Sequence, residues 1–325
     1  VLVDGEHAEA WTGNQSTTFI INGVSEGAGV ASDKIICHTT YLGGGFGRRG
    51  ETDFVLEAAK VAKHFQGVPV QLVYTREEDM RNDTYRPAVA AKLTAGLSLD
   101  RILGWKKKVG TQGALAGLFA RNIPMMPMSP EDDPSSTEGI RELPYHMDAA
   151  YTDLSTVDLP MTVGTWRSVG HSQNAFFSEC FMDECAHSLG KDPYQVRKEM
   201  LGESPRHLAV LEKLAEISNW KIDPDPGTYR GLALHKSFGS IVGEVVEIMI
   251  EGKQLKIDKV YCVIDCGRTV NPGIIESQMQ SGIAYGLTAA LYGEIDIKDG
   301  KIVQSNFPNY QMVKMSTMPE VVTHI

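Results

Sequence analysis

The chain has 325 residues, a formal net charge of −10 and a pI of about 5.4. Hydrophobic residues make up 42% and charged residues 22%, a balance that excludes wholesale disorder and collagen-like repeats, and the acidic excess argues against a nucleic-acid binder, which needs a basic face. No stretch approaches the roughly 18 uninterrupted apolar residues of a membrane-crossing helix, and a prior of about 150 residues per domain predicts two domains.

Residues 1–32 give mixed signals, with Trp11, Phe19, Ile20 and Ile21 as their main apolar content. The chain opens at Val1 with neither an initiator Met nor a signal-like segment, as expected of a processed chain or a piece of a longer one. Residues 34–41 read as a strand, with Ile35, Cys37 and Thr39 on one side. A glycine-rich loop follows, Leu42-Gly43-Gly44-Gly45-Phe46-Gly47-Arg48-Arg49-Gly50. The spacing of Phe54, Val55, Ala58, Ala59, Val61 and Ala62 then predicts a helix over 52–65, stopped by Gly67. Residues 68–74 read as a second strand, and 89–108 as a strand pair turning near Ser98-Leu99-Asp100.

Residues 113–142 carry Pro124, Pro127, Pro130 and Pro134 among Met125, Met126 and Met128. They predict a long excursion of the kind that builds lids, walls or partner surfaces. The domain boundary is placed just after it, giving domains over 1–150 and 151–325. Residues 174–189 give the clearest helix, with Phe177, Cys180, Phe181, Glu184 and Ser188 along one stripe. Asp192-Pro193 starts another, with Asp as N-cap and Pro in the first turn, and 208–217 a third. Two hairpins are expected, 242–250 with 255–264 across Glu251-Gly252-Lys253, and 295–297 with 302–303 across Asp299-Gly300. A helix over 274–291 separates them. The whole reads as an α+β fold of mixed sheets packed with helices.

Cys37, Cys180, Cys185, Cys262 and Cys266 match neither zinc nor plant-type iron–sulfur spacing. They read as buried or incidental thiols, and no cluster of metal-ligating residues is found. Gly45 to Gly50 formally matches the dinucleotide-binding pattern G-x-G-x-x-G between a strand and a helix. Against an NADP-binding reading stand an alternating first strand and a second strand that ends Tyr74-Thr75-Arg76 instead of in an acidic residue. A plain tight turn is a further reading. The chemical offer of the loop is close backbone approach, because glycine has no Cβ, and amide groups at a helix start that favour an anion.

Leu42 to Arg49, LGGGFGRR, resembles the signature of the molybdenum-binding subunit of the xanthine dehydrogenase and aldehyde oxidase family. Four further segments agree in order: Val163 to Gln173 with Arg167; Glu179, Asp183, Glu184 and Arg197; Asp265-Cys266-Gly267; and Asn271-Pro272 followed by Gln278 and Gly282. The branch it is most similar to is the isoquinoline 1-oxidoreductase beta subunit type, with membrane-bound aldehyde dehydrogenases beside it. The resemblance implies a fold of the molybdenum-cofactor-binding type and a molybdopterin cofactor, simple or as the cytosine dinucleotide. It implies oxidation of an N-heteroaromatic or aldehyde substrate with water as oxygen source, and electron transfer to a small [2Fe–2S] subunit and a cytochrome c subunit. Periplasmic or membrane-associated relatives are implied for location.

Carried over by position, Gly44, Gly45, Phe46, Gly47, Arg48, Arg167 and Gln278 are implied to contact the cofactor, with Phe46 and Trp166 at the substrate. Gln15 is a weaker candidate nearby. Arg167 as an ion-pair residue and Gln278 as a packing amide remain open readings. His171 is expected to be structural. The general-base glutamate of the family lies in a G-x-G-E segment expected beyond Ile325, and a Gly-Gln-Gly segment upstream of Val1, so no catalytic residue is assigned and the isolated chain is expected to be inactive. Glu51 follows the loop one place later than the active-site glutamate of purine-oxidising relatives, which argues against purines. A non-catalytic accessory fragment is the competing reading.

Overall fold

The computed structural model describes residues 1–325. In chain order its elements begin with strands β1 (Leu2–Asp4) and β2 (His7–Thr12), helix α1 (Thr17–Ala28), β3 (Ile35–Thr39), α2 (Asp53–Ala62) and α3 (Arg76–Asn82). Next come β4 (Val89–Leu97), β5 (Ile102–Thr111), α4 (Ala114–Asn122), β6 (Ala149–Thr156), α5 (His171–Ser188), α6 (Pro193–Met200) and α7 (Pro205–Ile217). The chain ends with β7 (Thr228–Ser237), β8 (Ser240–Glu251), β9 (Gln254–Asp265), α8 (Pro272–Leu291), β10 (Ile297–Lys298), β11 (Lys301–Ile302) and β12 (Glu320–His324). Two units interleave along it. Unit 1 is Val1–Ala90, Gly110–Ser136 and Leu154–Val169, and unit 2 is Ala91–Val109, Thr137–Asp153 and Gly170–Ile325. The fold is α+β, and a further three-stranded sheet has the order β4-β5-β6.

In unit 1, β2 lies between β1, antiparallel to it, and β3, parallel to it. Val3, Ala8, Ala10 and Ile35 from this sheet meet Ile20 and Val24 of α1 and Val55, Ala59 and Ala62 of α2 in one core. Each fully buried Val or Ile stabilises by roughly 1.5–3 kcal/mol. The helix α1 was not legible beforehand because Gly23 and Gly27 interrupt its apolar pattern. Both glycines serve the crossing with α2: a Cβ on Gly27 would lie 2.6 Å from the Leu56 carbonyl oxygen. Ser16 caps α1 by accepting from Phe19 N–H.

The strand expected over 68–74 does not form. Gly67 N–H donates to Val3 O, and Val1 and Val70 exchange two bonds, but the segment joins no ladder. Pro69 has no N–H to give. A dinucleotide unit needs that second strand, so the fingerprint reading of Gly45 to Gly50 loses its framework. The excursion over 113–142 is also less irregular than expected, since it holds α4.

In unit 2, the sheet order is β12-β9-β8-β7, with β12 parallel to β9 and the rest antiparallel. Both expected hairpins form. Asp299 and Gly300 take φ 51° and 71°, the left-handed pair a two-residue hairpin turn requires. One face of the sheet packs Leu232, Leu234, Ile241 and Val245 against Met182, Leu211 and Leu214. The other packs Val260 and Cys262 against Ile283 of α8. Asp192 caps α6 and Asn271 caps α8, each followed by Pro at the first helical position.

The helix expected over 174–189 exists, and Phe181 of the predicted stripe packs against the core beside Trp105, but the fully buried stripe is a different one. Asn174, Ser178, Glu179, Met182, Cys185 and Ala186 are buried, while Cys180, Glu184 and Ser188 are exposed. Glu179 explains the inversion. Its carboxylate accepts from Arg197 Nε at 3.0 Å, Tyr145 Oη at 2.9 Å and Leu234 N–H at 2.8 Å. Arg197 is fully buried and donates also to Asp183 at 2.6 Å. All five cysteines are free thiols; Cys185 and Cys262 are buried and Cys180 is exposed.

Candidate cofactor site

The glycine loop leaves β3 and closes on a 3-10 turn at Arg48–Gly50 before α2. Its shape comes from backbone that only glycine adopts cheaply: Gly44 has φ 128° and Gly47 φ 91°, with Phe46 at φ 52° between them. The Phe46 ring lies over Gly44, where an added Cβ would stand 2.5 Å from it. Gln15, placed by the turn after β2, lies against Gly45; an added Cβ there would meet its amide at 2.4 Å. Its Oε1 accepts from Gly47 N–H at 3.0 Å, and its backbone N–H donates to Arg49 O at 2.9 Å. Gly43 and Gly44 are exposed, so their main chain is open to an approaching group.

A second loop lies against the first. A Cβ on Gly47 would fall 1.6 Å from the Thr165 carbonyl oxygen, and Arg167 N–H donates to Phe46 O at 2.8 Å. Trp166 Nε1 donates to Thr84 O at 2.8 Å, and Arg86 donates to Arg167 O at 2.7 Å. Ser168 and Val169 follow at φ 70° and 45°. A β-branched residue there is a true outlier and costs on the order of 1–3 kcal/mol. The structure therefore brings Gly44, Gly45, Phe46, Gly47, Trp166 and Arg167 together in unit 1. Gln15 joins them, a residue that the resemblance offered only as a weaker candidate.

Arg48 belongs to the same loop, but its guanidinium is taken up inside the protein. It lies 2.7 Å from Asp53 and from Asp83, and 3.5 Å from Asp79. Burial opposes the Arg48 charge, and these carboxylates outweigh it, holding the group above its ordinary value. Burial pushes Asp83 up to about 6 against the pull of Arg48. A cleft of about 860 Å³ is lined by Trp11, Arg48, Arg49, Phe54, Tyr74 and Arg76 among others, but by none of Gly44 to Gly47. Gln278 stands exposed on α8, in unit 2. His171 lies at the start of α5, 2.9 Å from His235.

Residues 1–201 match the molybdopterin cofactor-binding domain, and residues 204–319 match a second domain of the same description. The chain belongs to the molybdopterin cofactor-binding domain family. It is 33% identical to the isoquinoline 1-oxidoreductase subunit beta of Brevundimonas diminuta, over 97% of this chain and 40% of that protein. It is 27% identical to the membrane-bound aldehyde dehydrogenase (pyrroloquinoline-quinone) of Gluconacetobacter polyoxogenes, over 96% of this chain and 44% of that one. The chain thus spans less than half the length of either relative. Quinoline 2-oxidoreductase from Pseudomonas putida 86 shares the fold with a TM-score of 0.81 at 14% identity, over 97% of this chain and 64% of that one. Aldehyde oxidoreductase from Desulfovibrio gigas does so at 0.70 and 14%, over 93% and 50%.

The residues present fit the group this family binds. The loop offers exposed main chain beside a glutamine amide, suited to a flat, hydrogen-bonding ring system.

Proposed function

We propose that the chain is the molybdopterin-holding part of an oxidoreductase that hydroxylates an N-heteroaromatic or aldehyde substrate with oxygen from water. The observation that carries this reading is the paired-loop site, Gly44 to Gly47 with Gln15 against Thr165 to Arg167, in a chain of the molybdopterin-binding family. The names of the two relatives support the substrate class. When bound, the cofactor supplies a two-electron oxidation centre.

The chain's own residues do the rest. Gly43, Gly44 and Gly45 let the backbone approach the cofactor within hydrogen-bond reach. Gln15, whose Oε1 is fixed by Gly47 N–H, presents its amide N–H groups beside it. Phe46, held over Gly44 and about a third exposed (36%), forms an apolar wall that orients a planar substrate and excludes water. Trp166, anchored on Thr84, extends that wall. Arg167 brings a cation whose backbone is fixed at both ends. Arg48 shapes the loop from within and meets the cofactor through its main chain. Electrons pass to a small [2Fe–2S] subunit and onward to a cytochrome c, in a periplasmic or membrane-associated setting.

The test is metal and pterin analysis of protein purified from a host that makes the cofactor. We expect about one molybdenum and one pterin per chain, as the one-site reading requires, with mass spectrometry of the released pterin distinguishing the simple from the cytosine dinucleotide form. In the assembled enzyme that contains this chain, heavy-oxygen label from water should enter the product of isoquinoline or an aldehyde. Protein without pterin overturns the reading, and label absent from the product overturns the hydroxylation.

A further inference from the structure

The two loops of the site are tied at a second place, at the end of the glycine loop. Glu51, the residue that ends the loop, is 4% exposed. Arg121 of α4 holds its carboxylate with both arms of the guanidinium, Nε to Oε2 at 3.0 Å and Nη2 to Oε1 at 2.6 Å. Asn122 adds a donor to Oε2 at 3.3 Å and itself accepts from Thr52 at 2.7 Å. Arg121 Nη2 donates in addition to the Val163 carbonyl at 2.9 Å.

Val163 lies two residues before Thr165 and four before Arg167. The loops therefore run side by side in opposite directions. Phe46 meets Arg167 at one end, Gly47 meets Thr165 in the middle, and Glu51 reaches Val163 through Arg121 at the other end. The fork geometry of arginine is what permits this, since one guanidinium pairs a carboxylate bidentately and still has N–H to spare. Gly164 fits the same clamp: a Cβ there would stand 3.3 Å from Glu51 Oε1 and 2.3 Å from Thr84 Oγ1.

We propose that Glu51 and Arg121 are positioning residues that set the register of the Trp166–Arg167 loop against the glycine loop. Glu51 acts through Arg121 and touches no ligand, because its carboxylate oxygens are already occupied by three donors. The term "site" here rests on the function proposed above; the clamp itself does not.

Amide hydrogen exchange on the purified chain, in whatever assembly it occupies, tests the clamp without needing cofactor. Arg167 N–H bonds to Phe46 O across the two loops and reports their register, while Gly164 N–H bonds to Tyr85 O and reports whether the second loop stays seated. In Glu51→Gln and Arg121→Ala, exchange at 164–167 should rise about tenfold or more, the size expected for a lost hydrogen bond to a buried charge. Exchange in β8 and β9 should not move. Arg121→Lys keeps the charge but not the fork and should fall between native and Arg121→Ala. Unchanged exchange at 164–167 overturns the proposal. So does an equal loss of protection in all segments, which would make the pair a general support of the fold. In loaded protein, release of pterin should speed up in the same order. Native protein that carries no pterin sinks the proposed function and leaves the exchange result to decide the clamp.

Discussion

Gly47 has no room for a side chain. Its φ of 91° and the Thr165 carbonyl 1.6 Å from an added Cβ both forbid one. Gly47→Ala should cost about 2–4 kcal/mol, combining left-handed strain with a backbone clash, and should separate the two loops. Urea titration reads the first, and loss of bound pterin the second. Val169, by contrast, is a residue in the wrong conformation for its shape. Val169→Asn should stabilise the chain by about 1 kcal/mol, because asparagine tolerates the left-handed region. If that strain holds Arg167 in place, the more stable variant should also exchange faster at residue 167. The glycines of the loop were legible in the sequence. The strain at Ser168 and Val169 was not, because nothing in a Ser-Val dipeptide announces a positive φ.

At the scale of elements, α5 and α6 show how a polar group redirects a helix. The sequence stripe of Phe177, Cys180 and Phe181 competes with Glu179, whose carboxylate has three donors waiting in Arg197, Tyr145 and Leu234. Burial works to raise the Glu179 carboxyl, and Arg197 pulls it back. Removing the cation leaves that carboxylate buried and unpaired. Arg197→Ala should therefore cost about 3–5 kcal/mol, measurable as a drop in the unfolding midpoint. A triple change that also removes the Glu179 and Asp183 charges should recover part of it. α2, α6, α7, α8 and both hairpins were readable to within about three residues, because caps, prolines and turn glycines are local signals. The missing strand at 68–74 and the parallel β12 depend on partners far along the chain, which no local pattern encodes.

For the molecule as a whole, pH offers a probe of unit 2. Glu244 stands opposite Cys262 in the sheet register, and Cys262 opposite Thr323. Burial alone pushes the Glu244 carboxyl from 4.5 up to about 7. A carboxyl raised in this way favours the folded state while it is protonated. Its stabilising share is complete below about pH 4.5 and is lost as pH rises through about 7. Glu244→Gln stays neutral throughout, so the variant should melt with the native protein near pH 4.5 and above it at pH 8. The gap at pH 8 should be on the order of 2 kcal/mol. A constant gap across that range would show that Glu244 does not titrate on folding.

The sequence by itself determined the family, through several short motifs in fixed order, and most local elements, through caps, turns and periodicity. It also named the residues of the paired-loop site on one side, Gly44 to Gly47 with Trp166 and Arg167. Only the tertiary structure decided how they meet. Thr165, Glu51 and Arg121 enter the site through contacts that span up to 118 positions from Gly47 to Thr165, and such contacts leave no periodic trace. It also decided that Arg48 turns inward to three carboxylates, because a buried cation must be paired wherever the fold supplies the partners.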